Sequence, residues 1–586
     1  MAILHALALA ALQTQAAPAS LLDNGGFEKG LAGWTLLNNS GNAKAELDAE
    51  EKKEGKQSLR FSKTGGMPMD VVRADVKSLP KGATVVVSAQ VRADAVKNAW
   101  FKFFLYDDAG ESLVEDVDVE RIRGSSAWRR IEKSYEIPEK AATATVFVLS
   151  TGDGTIWLDD VRVTPSGPKP VPNRTAPPKP EPLKPLDAKT KAWLDANAAK
   201  VRTLELDGAL DDLAPLKKAL AGARIVQLGE QSHGDGETFR AKARLARFLH
   251  EEMGFDVIAF ESGLFECDRA NARLKAGDAS GAMDASVFRI WRVKEVRPLF
   301  RYLAERAKTD RPFMLAGFDT RASGAGAEKL LDELFEHAAS FVELSDAERA
   351  ALKTIDKALG EDPYKPADAD RKTALAALER LRAGLDAKKA EIEGARGAEA
   401  AAFFSRCLDN FRARERFELA KADASLPYWA STNLRDAQMA DNLKWLAEVR
   451  FPGKKIVCWG ASMHFMHGSA GVREGGKAFY DGCAPMGEAT RATFGDAVYT
   501  IGFVAHHGTR GMPWTPKGDV PKAKAESVED WLHRYGAPLL FADLRKPGPL
   551  DAPRVAGPLG YSAMEASWPK VFDGLFFTDA MTPSSR

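Results

Sequence analysis

Residues 224–260 read RIVQLGEQSHGDGETFRAKARLARFLHEEMGFDVIAF, and this stretch decides the fold of the second half of the chain. Apolar residues dominate 224–229 and 256–260, which predicts two buried strands. Between them, residues 239–253 carry the spacing of an amphipathic helix that stops at Gly254. A strand, a helix and a second apolar strand in this order predict a parallel sheet covered by helices.

Three more apolar segments, residues 313–317, 455–459 and 498–503, extend this predicted sheet. Residues 191–202 and 210–221 have helical spacing and are predicted as helices. Residues 324–421 are charged and Ala-rich without a strand signal, which predicts a helical insertion. The insertion is either a lid or a helical layer that covers the sheet. We therefore predict a C-terminal α/β domain with a mainly parallel sheet over residues 187–586.

Residues 20–163 differ in pattern, because short β-branched runs alternate with turns and predict an all-β sandwich. The pieces NGGFE (24–28) and IWLDDV (156–161) resemble the first and last strands of jelly-roll carbohydrate-binding modules. In such modules exposed aromatic rings stack on sugars, so Trp34 and Trp128 become candidate carbohydrate contacts, as do Trp100 and Tyr106. Asp159 and Asp160 either help to bind a structural calcium ion or lie in a solvated turn.

The remaining segments set the organisation of the chain. Residues 164–186 are rich in proline and predict an extended linker between two domains. Residues 1–19 combine an apolar run with small residues, which is typical of a secretory signal peptide and predicts a secreted or periplasmic protein. No later segment has the length of a membrane span.

Composition narrows the function classes. The 586 residues contain 82 Lys plus Arg and 82 Asp plus Glu, a balance that gives no general attraction to nucleic acid. Four cysteines are too few for a disulfide scaffold, and we expect buried thiols, although one bridge would be possible in an oxidising compartment. The expected partner is a small molecule, and no cofactor is required by the motifs described next.

Acids and histidines follow four of the predicted strands. Glu230 and His233 come after the first strand, Glu261 after the second, Asp319 after the third and His464 after the fourth. Ligands bind where parallel strands end, so these side chains are expected to meet at one sheet edge. A carboxylate can fix the tautomer of an imidazole that takes a proton near neutral pH. For the first motif alone, a helix cap by Ser232 explains the pattern as well.

Taken together, GEQSHG (229–234), FESG (260–263) and WGASMHF (459–465) resemble motifs of the erythromycin esterase family. WRVKEV (291–296), RDAQMA (435–440) and the PMGE stretch (485–488) also match that family in order. The resemblance implies an ester hydrolase known for opening macrolide lactones, and hence antibiotic resistance as a possible role. It makes His233 the general base, Glu230 and Glu261 its acidic neighbours, and His464 the second histidine of the family motif H-N-x-H.

Two positions depart from the family pattern. The first histidine of H-N-x-H falls on Ala461, and the basic residue of the following helix, usually Arg, is Lys242. These departures put macrolides in doubt as the substrate, and an ester on a glycoside or polysaccharide is the alternative. We predict that His464 and Lys242 stabilise the oxyanion or protonate the leaving group. Further substrate contacts are predicted for the following residues: Trp291, Arg292, Asp319 and Ser462.

Three alternatives remain open from the residues alone. The two acids and two histidines could hold a divalent metal such as zinc. Ser462 could be a nucleophile after a strand, although His464 stands where a nucleophile elbow needs glycine. Finally, the second domain could be inactive, which would leave a carbohydrate-binding or cell-surface protein.

Overall fold

The computed structural model describes residues 19–65, 69–107, 113, 117–166, 184–361, 364–423, 425–515 and 517–586. The chain divides into two compact units, Met1–Pro182 and Leu183–Arg586. Residues 1–18 of the predicted signal segment and most of the predicted linker lie outside the described residues, so both stay predictions. Among the described residues, no helix is both long and apolar enough to cross a bilayer.

The first unit is an antiparallel β-sandwich. Its strands are β1 (Trp34–Leu37), β2 (Ala43–Asp48), β3 (Ser58–Lys63), β4 (Asp70–Val76), β5 (Thr84–Tyr106), β6 (Asp118–Glu136), β7 (Thr143–Ser150) and β8 (Gly154–Ser166). The first half of β5 pairs with β8, the second half pairs with β7, and β6 follows β5 along both halves. The long strands thus run through both layers, whose inner faces share one apolar core. The predicted all-β sandwich is confirmed.

Trp34 is part of that core. Its side chain is 8% exposed, its ring centre lies 5.0 Å from that of Phe27, and its Nε1–H donates to the Asn24 carbonyl. A sugar cannot stack on a ring that is packed in this way, so the prediction of Trp34 as a carbohydrate contact is wrong. Asp159 accepts the backbone N–H groups of Lys53 and Glu54, each at 2.8 Å, and therefore fixes a turn.

The second unit combines one large sheet with many helices. Its strands are β9 (Ala198–Lys200), β10 (Ile225–Glu230), β11 (Phe255–Gly263), β12 (Met314–Asp319), β13 (Lys455–Ala461), β14 (Arg473–Glu474), β15 (Lys477–Ala478), β16 (Val498–Arg510), β17 (Gly518–Asp519), β18 (Leu539–Asp543), β19 (Arg554–Ala556), β20 (Met564–Ala566) and β21 (Gly574–Met581). Its helices are α1 (Ala188–Asn197), α2 (Leu216–Ala219), α3 (Gly236–Met253), α4 (Leu264–Ala276), α5 (Ala279–Ser286), α6 (Arg297–Arg306), α7 (Leu330–Ala338), α8 (Asp346–Ala358), α9 (Asp368–Ala387), α10 (Lys389–Arg396), α11 (Ala398–Ala422), α12 (Ala430–Trp445), α13 (Ser462–Phe465), α14 (Met486–Phe494) and α15 (Val528–Tyr535).

The large sheet has the strand order β12-β11-β13-β10-β16-β21-β18-β9. Neighbours from β12 to β21 pair in parallel, whereas β18 runs antiparallel to both β21 and β9. Helices cover both faces, and two apolar cores lie between the helices and the sheet. Because the central strands are parallel, the carboxyl ends of β10, β11, β12 and β13 meet at one edge. That edge carries the candidate site.

Two predicted helices are wrong in extent. The helix predicted over 191–202 ends at Asn197, because the next residues form β9 and pair with β18. The segment 210–221 forms a single 3₁₀ turn at Asp211–Leu213 and the short α2. Pro215 lacks an N–H and so interrupts a continuous helix between them. By contrast, α3 ends at Gly254, which adopts a left-handed conformation with φ 79°.

The region predicted as a helical insertion, residues 324–421, contains α7 to α11. Leu378, Leu381 and Leu385, which share helical spacing, are buried in the core beside β11 and β12. These helices therefore form a layer on the sheet. All four cysteines are buried and unpaired, as expected: Cys267, Cys407, Cys458 and Cys483.

Candidate active site

Glu230 ends β10 and is completely buried at the side chain, yet it carries three polar contacts. His233 Nδ1 lies 2.8 Å from Glu230 Oε1, and Trp291 Nε1–H donates to the same oxygen at 2.9 Å. Lys242 Nζ donates to the other oxygen, Oε2. Because the carboxylate can only accept, it holds the proton of His233 on Nδ1 and leaves Nε2 as the basic nitrogen.

Lys242 lies on α3 and is completely buried. Besides Glu230, its Nζ donates to the Gly460 carbonyl at 3.1 Å and lies 4.4 Å from the ring centre of Trp459. Burial lowers the pKa of Lys242 to about 8. The negative charge of Glu230 acts in the opposite direction, because it favours the protonated lysine. The prediction that Lys242 contacts an oxyanion is wrong, since its ammonium group has no access to a substrate. It is the counter-ion of Glu230.

His233 is the accessible member of this cluster, with 40% of its side chain exposed. Desolvation disfavours the charged imidazole, but the hydrogen bond and charge of Glu230, together with the charge of Glu261, raise the pKa of His233 above its ordinary value. The ring also meets that of Trp291 edge to face, with centres 6.2 Å apart. Contacts with Glu230 and Trp291 therefore fix the His233 ring in an orientation that leaves part of the imidazole exposed to solvent.

A second cluster surrounds Glu261 at the end of β11. Arg435 on α12 donates from Nη2 to Glu261 at 2.7 Å and to Asp319 at 2.6 Å, and its Nε donates to Asp319 at 2.9 Å. Desolvation would raise the pKa of Glu261, but His464 and Arg435 outweigh it and lower that pKa to about 2. The planar guanidinium thus joins the ends of β11 and β12 through a bidentate pair.

His464 completes the second cluster from α13. Its Nδ1 lies 2.9 Å from both oxygens of Asp436, while its Nε2 lies 3.0 Å from Arg435 Nη1 and 3.4 Å from Glu261. Burial opposes the imidazolium, but Asp436 and Glu261 prevail and raise the pKa of His464. The imidazole accepts from Arg435 when neutral, and it can hold a proton beside Glu261.

One peptide unit connects the two clusters. The Gly460 carbonyl accepts from Lys242, and the Ala461 N–H of the same unit donates to Glu261 Oε2 at 2.9 Å. Glu230 lies directly opposite Ala461 in the parallel pairing of β10 and β13. The sequence prediction that Glu230, His233, Glu261 and His464 gather at one sheet edge therefore agrees with the geometry.

Three predicted substrate contacts are buried and have other roles. Trp291 is completely buried and donates to Glu230, and Asp319 is completely buried and accepts from Arg435. Ser462 is 1% exposed, and its Oγ donates to the Gly229 carbonyl at 2.7 Å. These placements contradict substrate contact for all three, and they contradict a nucleophilic Ser462. Arg292 is half-buried and donates to the Val287 carbonyl, so its predicted role stays a prediction.

The zinc alternative does not fit this site. Glu230 faces Lys242 and Glu261 faces Arg435, so cations of the chain already occupy the positions a metal would take. In the described parts of the chain, the His and acid donors of these two clusters do not converge within metal-binding reach.

Arg435 and Asp436 received no role from the sequence, although both lie within the RDAQMA motif. A signal was present: Arg435 shares helical spacing with Met439, Asn442 and Leu443, which are buried. A charged residue on an apolar stripe needs a buried counter-charge. What the spacing cannot show is which acids provide it, since Glu261 and Asp319 lie far away in sequence.

This α/β fold carries an acid–histidine cluster at the carboxyl edge of its parallel strands, which is where α/β proteins of this architecture bind their ligands. The erythromycin esterase family model matches residues 250–581. The chain belongs to the erythromycin esterase family, and the resemblance inferred from the motifs is confirmed. A carbohydrate binding domain model matches residues 19–155, so the first unit is a carbohydrate-binding-type domain.

Two relatives agree with this assignment, and a solved structure shares the fold. The candidate hydrolase YbfO of Bacillus subtilis (strain 168) is 26% identical over 416 residues, which cover 67% of this chain and 91% of that protein. An erythromycin esterase type II of Escherichia coli is 21% identical over 63% of this chain and 92% of its own length. A crystal structure of a Bacillus cereus protein shares the fold with a TM-score of 0.56 at 18% identity, covering 68% of this chain and 98% of its own.

Replacing Arg435 by Ala should destabilise the protein by about 3–5 kcal/mol, because Glu261 and Asp319 would remain buried without their cation. Arg435→Lys should lose less, since it keeps the charge but not the bidentate geometry. Calorimetric unfolding of the full chain measures the effect, and Arg301→Ala, at an exposed position of α6, is the matched control. A loss below about 1 kcal/mol for Arg435→Ala would contradict the central position of this guanidinium.

Replacing Glu230 by Gln should lower the pKa of His233, because the hydrogen bond and charge of the Glu230 carboxylate are lost, while desolvation and the charge of Lys242 remain and only Glu261 still raises it. If neutral His233 is the base, kcat/KM falls as pH drops through this pKa, so the acid limb moves to lower pH in Glu230→Gln. Histidine NMR titration measures the pKa directly. Glu252→Gln, which removes an exposed partner of Lys217, serves as control. An unchanged or higher His233 pKa in Glu230→Gln would refute the assignment.

Proposed function

We propose that this protein is a hydrolase that cleaves a carboxylic ester with water activated by His233. The observation that carries the proposal is the 2.8 Å contact between His233 Nδ1 and buried Glu230, on an imidazole that is 40% exposed. Membership of the erythromycin esterase family supports it, as do the names of the relatives in Bacillus subtilis and Escherichia coli.

In the proposed reaction, Nε2 of His233 removes a proton from water while the water oxygen attacks the ester carbonyl carbon. Glu230 stabilises the imidazolium that forms. The tetrahedral intermediate then breaks its bond to the alcohol oxygen, and the imidazolium returns the proton to that oxygen. The products are a carboxylic acid and an alcohol, and His233 is neutral again after each turnover.

The oxyanion needs a positive group other than buried Lys242. Arg435 is the candidate, since its side chain is 11% exposed and its charge is fixed beside Glu261. In this proposal His464 and Asp436 position Arg435 from the opposite side. Preorganised charge of this kind stabilises developing negative charge without reorganisation during the reaction.

The substrate proposed is an ester or lactone that carries sugar, either a macrolide or an acylated glycoside or polysaccharide. The carbohydrate-binding-type domain favours the second choice, because it would hold a polymer near an esterase. The absence of a histidine at Ala461 distinguishes this chain from the macrolide-opening pattern of the family.

Replacing His233 by Ala should lower kcat for a hydrolysable ester by about 10²–10⁴-fold, the usual contribution of a general base. A panel of aryl esters, acyl sugars and a macrolide lactone identifies the substrate class with the wild-type protein. His337→Gln, a histidine of α7 in the helical layer, is the control and should keep wild-type activity. Equal turnover by His233→Ala and wild type would exclude His233 as the base, and no turnover by either would overturn the proposal in favour of a binding protein.

For the first unit we propose that carbohydrate binds to one outer sheet face. Along β5, Phe101 and Phe103 point into the core, so Trp100, Phe104 and Tyr106 lie on the opposite face. The rings of Phe104 and Tyr106 are parallel within 4°, with centres 5.9 Å apart. Flat aromatic surfaces suit the apolar C–H faces of sugar rings.

Charged groups accompany these rings and suit sugar hydroxyls. Arg121 lies over the Trp100 ring, 5.1 Å from its centre, and Lys102 pairs with Asp118 on the same sheet. Trp128 on β6 is half-buried and remains a second candidate. The face around Trp100 is favoured, because several rings and polar groups lie together there.

Trp100→Ala should weaken polysaccharide binding about tenfold, a loss of ~1.4 kcal/mol in the range of one aromatic contact. Affinity gel electrophoresis of the full chain against soluble polysaccharides measures this effect. Tyr428→Ala removes an aromatic ring that is 82% exposed in the second unit and should have no effect. Retained binding by Trp100→Ala together with a loss in Trp128→Ala would move the site to β6.

A further inference from the structure

A cluster of three histidines and an aspartate lies outside the candidate active site. His506 and His507 follow each other on β16, Asp579 lies on β21 and His533 lies on α15. The parallel pairing of His507 with Ala580 brings His506 and His507 beside Asp579. No step of the proposed hydrolysis uses these four residues.

The cluster gathers three donor atoms. His506 Nδ1 lies 3.1 Å from His507 Nδ1 and 3.9 Å from Asp579 Oδ1. One ligand atom from each of the three residues lies within 4.8 Å of the others, a grouping found nowhere else among the residues that the structure describes. Neighbouring side chains of a strand normally point to opposite faces, so two facing imidazole nitrogens are unusual.

We propose that His506, His507 and Asp579 bind a divalent transition-metal ion such as Zn²⁺. Two imidazole nitrogens and one carboxylate oxygen form a donor set that zinc accepts, whereas Mg²⁺ and Ca²⁺ prefer oxygen alone. Bonds of about 2.0–2.1 Å in a tetrahedron place ligand atoms roughly 3.3 Å apart. The contacts of 3.1 and 3.9 Å reach this spacing with a small movement of Asp579.

His533 has the position of an orienting partner. Its Nδ1 lies 2.5 Å from Asp579 Oδ1, and its ring stacks on that of His506 with centres 3.9 Å apart and planes within 2°. A histidine that donates to a ligating carboxylate fixes its orientation, as outer partners do in metal sites. His506 is 7% exposed, whereas His507 lies at the surface and gives an ion access.

The ion would leave a coordination position open, because the chain provides three ligands. It would also link β16, β21 and the helix that holds His533. The inference is independent of the proposed hydrolysis, since binding at this cluster can be present in an inactive protein and absent in an active one.

Cobalt titration of tag-free, chelator-treated full-length protein tests the proposal. About one Co²⁺ per chain should bind with the visible absorption of a low-coordinate site, and Zn²⁺ should displace it. His507→Ala and Asp579→Asn should each weaken binding at least about tenfold, and His533→Ala about 10–100-fold. His337→Gln and His233→Ala should bind as wild type does, which excludes the active-site histidines as the source.

Folding is checked in the same samples by thermal unfolding without metal and with Zn²⁺. The metal should raise the Tm of wild type, since it binds the folded state, and should not raise the Tm of His507→Ala. His507 is at the surface, so this variant should keep its metal-free Tm. The proposal fails if wild type binds no Co²⁺, or if His507→Ala and Asp579→Asn bind it as tightly as wild type does.

Discussion

The ion pair between Glu230 and Lys242 is the constraint on which the site depends. Both side chains are completely buried, and two charges without water are costly unless each is paired and hydrogen-bonded. Glu230 meets this demand through His233, Trp291 and Lys242. Those donors come from a loop, a 3₁₀ turn and α3, so three separate segments together satisfy the buried carboxylate at the end of β10.

The same requirement extends to the second cluster through the peptide unit between Gly460 and Ala461. Its carbonyl faces Lys242 and its N–H faces Glu261, so the peptide dipole lies between a cation and an anion in the favourable direction. Arg435 then balances Glu261 and Asp319. A shift of β13 would disturb both clusters together, and the charges near His233 are therefore fixed before any substrate arrives.

The local sequence pattern predicted the strands and the sheet edge of this site correctly. It did not predict which charged side chains are buried, because their burial depends on partners far away in the sequence. The apolar runs of β10, β11, β12, β13 and β16 identified the strands, and the residues after the first four identified the sheet edge. Sequence could not show that Lys242 and Asp319 are buried, because a charged residue is ordinarily exposed. Their burial depends on Glu230 and Arg435, and Asp319 is separated from Arg435 by 116 positions. The carbohydrate contact predicted for Trp34 was wrong for a related reason, since a tryptophan in a β-sandwich can fill the core as well as bind a ligand at the surface.

The two departures from the family pattern have different consequences. A lysine suits the position of Lys242, because its single charged nitrogen fits between the Glu230 carboxylate, the Gly460 carbonyl and the Trp459 ring. A guanidinium has five N–H groups and would need more acceptors in this dry space. The change to lysine therefore preserves the role of a counter-ion. Ala461 is different, since it lies beside Glu230 in the strand pairing and is half-buried, and alanine brings no imidazole to this position. The buried ion pair is thus kept with a lysine, and the second departure falls on the half-exposed strand end beside Glu230.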